Sequence, residues 1–571
     1  MKKFDQRSQA SIAWGLLILV IVLYAVEMSH QVVLRYDTFK ATAFDLGNMD
    51  QVLWNTIHGR LFQFTNQAID WYGPPTRLAF HFEPIILPLS LLYVFHADPR
   101  ILLVFQTLAL TSGALPVFLL TRRYLREWPI LAALMAMAYL LSPALLGVNI
   151  FDFHPVALAT PLLLYAVLAL TYKRYVWFLI ACVLAAACKE DVPLTIAVFG
   201  ILVIWKYKLP RLGITLMIGG VLWSFLAFKV IMPHFYPGVQ ANNFWYRYEA
   251  LGSSPGAAIA NTLVHPWIFF TTFFTLDRLY YMAGLVRSVG FLPLLAPGWL
   301  LPILPGLAIN LLSIDPLLYS GVYQYNATII PFIMIAAIHG TRRLIQAWQG
   351  WQHEELPDVV NESGGLDAAD GDANRIVGAG LAPALHLAPA LHLVLVQAGH
   401  LIAWLQPRIL RLTLPKWRNE QWRRFSERMA PIAKNVSVFR LQWIVFAWIT
   451  VMIGLNFWLA VPQLNTFWAD HDPGSREKHI QQLLDMIPPG ASVSAGANLN
   501  PHLSERQLLA VFPSVCIDSA CNHTVEYVIV DLNSLTVENR AQAASVLNAL
   551  SRQFRVVARA EGVVLLIRRS T

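Results

Sequence analysis

Long apolar runs separated by short polar breaks dominate the first 460 residues, and short alternating runs replace them afterwards. A helix needs roughly 20 consecutive apolar residues to cross a bilayer. Runs approaching that length predict eleven spans, near 11–28, 99–121, 129–147, 155–171, 176–188, 192–205, 212–231, 262–282, 286–312, 327–341 and 441–460. The fifth and sixth are short. They form either one helix bent at Pro193 or two short helices with Lys189, Glu190 and Asp191 at the turn. The apolar stretch 84–96 is also short and is followed by Asp98 and Arg100, so it predicts a helix lying along the membrane surface. Prolines crowd 262–312 and blur the boundaries there.

The last part of the chain has a different rhythm. A helix is expected over 475–487, strands at ASVSA, LLAVF and VEYVIVD, a helix over 535–552, and a closing hairpin in FRVVARAEGVVLLIRR. Alternating helices and strands of this length predict a small α/β layer. The expected fold is therefore a mainly α-helical polytopic membrane protein with a small α/β C-terminal domain. Its parts are a membrane domain over 1–345 with a long loop at 29–98, a linker over 346–440, a last span at 441–460, and the α/β domain over 461–571. Within the linker, 353–375 is acidic and rich in Gly, Asp and Ala, a composition that does not bury a core. The stretch 376–406 carries the near-repeat LAPALHLAPALHL and reads as an interfacial helix or a hairpin.

Composition agrees with lipid as the main solvent. The chain is 56% hydrophobic and 13% charged, against about 25% charged in soluble chains. Its net charge of +8 is not a nucleic-acid signal, because the basic residues sit beside apolar runs. With eleven spans, Arg122-Arg123, Lys173-Arg174, Lys206, Lys208 and Arg211, Arg342-Arg343 and the basic run Arg408 to Arg440 all fall on the N-terminal side. The positive-inside rule makes that side cytoplasmic and puts the α/β domain outside. The 19 Trp and 19 Tyr suit interfacial belts. Residues 11–28 follow Met1-Lys2-Lys3 with no small-residue cleavage site after them, so a retained first helix is expected. Of four cysteines, Cys182 and Cys188 lie in an apolar run. Cys516 and Cys521 could form a disulfide if their domain is extracytoplasmic, although spacing alone does not decide it.

The polar clusters all fall on the expected outer side. They are Asp45, Asp50 and Gln51 in FDLGNMDQ, His81 and Glu83 in HFEP, Asp152 and His154 in FDFHP, Lys189, Glu190 and Asp191 in KEDVP, Tyr323 and Tyr325 in YQYN, and His502 and Arg506 in PHLSER. Ionisable groups at membrane depth are expensive and mark function by default. Each has a plainer reading beside that one. Asp45 would cap a helix beginning at Leu46, Asp50 would be a solvated loop carboxylate, and Lys189-Glu190-Asp191 a self-neutralising turn. The other pairs would make ordinary interfacial or loop contacts. The mixture of Asp, His and Glu suggests a divalent metal, but no tight ligand spacing supports one. No phosphate-binding Walker loop, dinucleotide fingerprint or GxSxG stands out, which argues against a nucleotide-driven pump.

The segments FDLGNMDQVLW, HFEPIILPLSLLY, FDFHPVALATPLLL, KEDVPL, FLPLLAPGWLLPILPGLAINLLS and PHLSERQLLAVFP resemble the polytopic family known as domain of unknown function two thousand and seventy-nine. The resemblance runs from about residue 40 to 340 and resumes near 490–530, with Gln324 departing from the histidine expected before Tyr325. That family in turn resembles the GT-C membrane glycosyltransferases. The resemblance implies transfer of a sugar from a polyprenyl-phosphate donor to an acceptor at the outer face, with membrane lipid as partner. It implies Asp45 as base and Lys189 as partner of the donor phosphate. Asp50, Gln51, His81, Glu83, Asp152, His154, Glu190, Asp191, Tyr325, His502 and Arg506 would bind substrate or line the site. The competing classes are a lipid or solute transporter, for which an internal inverted repeat is missing, and a non-catalytic sensor or scaffold.

Overall fold

A computed structural model describes residues 6–66, 76–235, 244–352, 416–469, 471–517, 521 and 523–569. The acidic linker 353–375 and the predicted interfacial segment 376–406 lie outside the described residues.

The first helix, Gln6–Asp37, is apolar on both faces. Ala13, Leu17, Tyr24, Met28 and Val32 turn inward, spaced so that they share one helical face. Leu19, Leu23 and Val26 are more than half exposed on the other, a pattern that suits lipid better than water. The inner face packs on helices Pro99–Ser112 and Pro129–Leu140. Pro143 has no N–H to continue a ladder, and there the chain bends by 47° between Pro129–Leu140 and Pro143–Ile150. The region around Lys189 contains two short helices, Tyr175–Ala186 and Val192–Tyr207. The second runs back along Pro210–Leu226, where a Cβ on Gly200 would come 2.5 Å from the Gly213 carbonyl. Small residues here let two backbones approach closely.

The span count differs from the sequence expectation. Among the described residues, four helices are long and apolar enough to cross a membrane: Gln6–Asp37, Pro99–Tyr124, Pro210–Phe235 and Val438–Leu464. A fifth appears if the bent pair at Pro143 counts as one span. Eleven are not reproduced. The expected span 262–282 divides into Pro255–Val264, Pro266–Phe273 and Leu276–Arg287, because Pro266 ends one helix and starts the next. The expected span 286–312 becomes 3-10 turns at Leu292–Leu295 and Pro297–Ile303 and a short helix Leu304–Leu311. The stretch 84–96 does form a short helix, Ile86–Phe95.

Helix Ile330–Gln352 runs from the YQYN turn to the other end of the bundle. There it meets helix Lys416–Asn435, whose end is tied down by Trp348 and Gln352 donating to the carbonyls of Val436 and Ala433. The last apolar helix, Val438–Leu464, is held through Asn456, which accepts from Arg287 Nε at 2.7 Å and donates to the Gly284 carbonyl.

The terminal domain opens with helix Ser475–Asp485. Its strands are β1 (Val493–Ala495), β2 (Leu509–Val511), β3 (Tyr527–Asp531), β4 (Phe554–Ala560) and β5 (Val563–Arg568), in the order β2-β1-β3-β5-β4. β1 is parallel to β2 and β3, whereas β5 is antiparallel to β3 and β4. Helix Val537–Leu550 precedes the closing hairpin. Cys516 and Cys521 are disulfide-bonded.

This domain docks on the loop that follows the first helix. The Ala43 N–H donates to the Ala497 carbonyl at 2.9 Å, and Thr65 Oγ1 donates to the Leu509 carbonyl at 2.8 Å. The side-chain amides of Asn66 and Asn500 bond reciprocally. A Cβ on Gly47 would meet Asn500 Oδ1 at 2.5 Å and Asn66 Nδ2 at 3.0 Å, so a larger residue there would displace the amide pair.

Candidate functional site

Directly beneath the docked domain, the chain leaves the first helix and makes one π-helical turn, Ala43–Gly47, before helix Asn48–Ile57. Such turns re-aim side chains and recur at functional sites. This one carries Asp45. Its Oδ1 lies 2.9 Å from His154 Nε2, and its Oδ2 accepts from Thr42 Oγ1 at 3.1 Å. Burial disfavours the Asp45 charge, but His154, Thr42 and Arg77 outweigh it and hold the carboxyl below its ordinary range.

The FDFHP segment supplies the other side. Asp152 Oδ2 accepts from the Thr42 N–H at 2.8 Å and lies 2.9 Å from the Thr42 hydroxyl. Arg35 Nε is 3.5 Å from Asp152 Oδ1. Burial, followed by the Arg35 and Asp45 charges pulling in opposite senses, leaves the Asp152 carboxyl above its usual range. The Asp152 backbone has φ of +22°, a conformation that costs a non-glycine residue about 1–3 kcal/mol and is held by its surroundings. Gln106 supplies that support from inside an apolar helix. It accepts from the His154 N–H at 2.9 Å and donates to the Asp152 carbonyl at 3.0 Å. The His154 Nδ1 atom is buried without a hydrogen-bond partner.

A second pair stands close by. His81 Nδ1 is 2.9 Å from Glu190 Oε1, and the Phe82 N–H donates to Glu190 Oε2 at 3.1 Å. Burial raises the Glu190 carboxyl, yet His81 and Lys189 prevail and bring it to about 2. Glu83 is paired with Arg77, whose Nε lies 2.9 Å from Glu83 Oε2. Lys189 lies 3.5 Å from Asp191. Burial works against the Lys189 charge, but Asp191, Glu190, Tyr325 and Glu83 raise its affinity for the proton. Tyr325 feels the charges of both Lys189 and Asp45. Burial raises its phenol, Arg247 and Lys189 lower it, and Asp45 and Asp315 raise it. Arg247, 3.2 Å from Asp315, lies 4.9 Å from the Phe244 ring centre, and Phe244 in turn stacks on His81.

The other predicted residues lie at the domain contact. Asp50 is wholly buried, bonded to the Tyr93 hydroxyl and accepting from Ser504 Oγ at 2.6 Å. Burial and the nearby Glu505 push its carboxyl well up. Gln51 donates to the Arg506 carbonyl at 3.1 Å and accepts from the Thr65 N–H at 2.9 Å. His502 reaches the first helix, stacked on Tyr36 with its Nε2 3.1 Å from the Tyr36 carbonyl. Burial and Arg100 lower it to about 3. Arg506 donates within its own domain, to the Ala491 carbonyl at 2.8 Å. The structure thus brings Asp45, Asp152, His154, His81, Glu83, Lys189, Glu190, Asp191 and Tyr325 into one region and separates Asp50, Gln51, His502 and Arg506 from it. Thr42, Arg35, Arg77, Gln106 and Arg247 join the region without having been singled out. Gln106, a lone amide within an apolar run, carried the clearest signal. Among the described residues no group of three or more His, Cys, Asp or Glu is arranged to hold a metal ion.

Fold and site together define a helical membrane protein with a polar cluster beneath a docked α/β domain. The chain belongs to the family described as "Predicted membrane protein (DUF2079)", whose model matches residues 35–358 and 421–565. Two solved structures are similar to it. Both are crystal structures of ArnT from Cupriavidus metallidurans, at 14% identity. The one bound to undecaprenyl phosphate has a TM-score of 0.40 and covers 96% of this chain and 97% of that one. The apo form has a TM-score of 0.43 and covers 98% of each. No curated protein matches the chain.

Proposed function

We propose that this protein is a membrane glycosyltransferase that moves a sugar from a polyprenyl-phosphate donor to an acceptor at the outer face of the membrane. The observation that carries the reading is the state of Asp45. Its side chain is 26% exposed, whereas that of Asp152 beside it is 1% exposed. Of these two, Asp45 is the carboxylate that is both held ionised and open to a substrate.

In the proposed reaction the acceptor hydroxyl attacks the anomeric carbon. The new C–O bond forms as the bond from that carbon to the phosphate oxygen breaks. Asp45 takes the hydroxyl proton, and the polyprenyl phosphate leaves with the electron pair and the negative charge. Lys189, 20% exposed, is the proposed partner of that charge, with Arg77 and Arg247 adding positive potential. Asp191 orients Lys189, and the His81–Glu190 pair fixes the HFEP turn against KEDVP. His154 keeps Asp45 ionised, and Arg35 with Thr42 holds Asp152 behind it. Asp50, Gln51 and His502, expected from sequence to bind substrate, are assigned to docking the domain, and the Arg506 side chain to bracing it from within. The charge pattern supports an N-terminus in the cytoplasm and the α/β domain outside, and the bonded Cys516–Cys521 pair fits an oxidising compartment.

The test is incubation of the purified protein with a panel of polyprenyl-phosphate sugars, followed by mass spectrometry of released and transferred sugar. Turnover of at least one donor is expected. Absence of both turnover and binding across the panel would favour the transporter or sensor classes.

A further inference from the structure

Helix Lys416–Asn435 lies at the opposite end of helix Ile330–Gln352 from the YQYN turn, a separation of about 34 Å for a helix of 23 residues. Its sequence carries Lys416, Arg418, Arg423, Arg424, Arg428 and Lys434 against Glu420 and Glu427. One face is used up. Ser426 and Ala433 are buried, seven residues apart, and the helix end is anchored to Trp348 and Gln352. Beside that face lie Phe425, 47% exposed although its ring meets that of Trp351 edge to face at 5.9 Å, and Ile432, 50% exposed, also seven residues apart. Arg424 and Arg428 are exposed along the same side. Past the break at Ser437, the last helix continues the display with Phe439 and Trp443, 56% and 46% exposed and edge to face at 6.4 Å.

An apolar stripe flanked by guanidinium groups, next to the foot of a membrane helix, matches one environment. The rings and Ile432 enter the acyl boundary while the arginines reach back to the headgroups. We propose that helix Lys416–Asn435 lies in the membrane interface opposite the Asp45 site and binds anionic phospholipid headgroups through Arg424 and Arg428. The occupant is a lipid surface rather than an acidic protein. Phe425 and Ile432 lie beside the arginines on a helix joined within two residues to a span, so the same surface must already hold them. The cluster at Asp45 plays no part in this, so the two readings stand or fall separately.

The test uses the full-length protein reconstituted in an equal mixture of phosphatidylcholine and phosphatidylglycerol, re-extracted in mild detergent, with retained lipids counted by native mass spectrometry. Wild type should retain phosphatidylglycerol over phosphatidylcholine. Each of Arg424→Gln and Arg428→Gln should lower that preference about fivefold, with no change in melting temperature. Arg552→Gln in the α/β domain should leave it unchanged. The variant Phe425→Ser with Ile432→Ser should reduce retention of both lipids. Equal retention of the two lipids by wild type, or a preference that survives loss of both arginines, would overturn the proposal.

Discussion

Asp45 and His154 are 109 residues apart in the chain, yet their contact sets the chemistry of the cluster. His154 is the first group to oppose the cost of burying Asp45, so removing it should let the Asp45 carboxyl rise. For a base whose pKa is depressed, activity is present above that pKa and is lost as pH falls through it. The wild-type rate should therefore hold down to below pH 3.8, the ordinary value for this carboxyl. In His154→Gln the acid limb should move to higher pH, with the plateau rate reduced less than by loss of Asp45 itself. A pH–rate profile of the two proteins checks this. An acid limb at the same pH in both would show that His154 does not set the Asp45 proton affinity.

At the scale of elements, the contact between the loop and the α/β domain is the one most open to test. Asn500→Ala would leave the buried Asn66 Oδ1 without its donor, at a cost of about 1–3 kcal/mol, read as a loosened domain in limited proteolysis. The same contact should respond to pH. Burial and Asp98 raise Glu505 from 4.5 to about 7. A raised carboxyl favours the folded form at low pH, so its contribution is complete below about 4.5 and is lost as pH rises through about 7. Docking should therefore weaken across that interval, and Glu505→Gln should flatten the dependence. A slope unchanged in the variant would place the titration elsewhere. Much of this domain was legible in sequence, because runs such as YVIVD are β-branched and bounded by turn residues. The break between Tyr175–Ala186 and Val192–Tyr207 was legible too, from the charged triplet between two apolar runs. Other features were not. Periodicity cannot say that Pro266 splits one apolar run into two helices rather than kinking a span. Asp50 looked like a solvated loop residue because its partners, Tyr93 and Ser504, are 43 and 454 residues away. Contacts between distant segments leave no local signal, and for the same reason Thr42 and Arg247 went unmarked.

For the whole molecule, sidedness follows from which parts touch. The domain and the Asp45 loop are in contact, so they share one side, and the basic helix Lys416–Asn435 lies at the other end. Ser551 in the α/β domain and Lys208 at the end of Val192–Tyr207 are both exposed. A membrane-impermeant maleimide applied to intact cells should label Ser551→Cys and spare Lys208→Cys. The reverse pattern would invert the topology and put the cluster in the cytoplasm. At the site itself, the open, ionised carboxylate Asp45 is proposed to take a proton during sugar transfer. This role is tested most directly by comparing turnover of a polyprenyl-phosphate sugar by the wild-type protein and by Asp45→Asn, with donor binding measured in parallel. Donor binding should be largely kept while turnover falls by about 10²–10⁴-fold. Turnover that persists at the wild-type rate in Asp45→Asn would contradict this role.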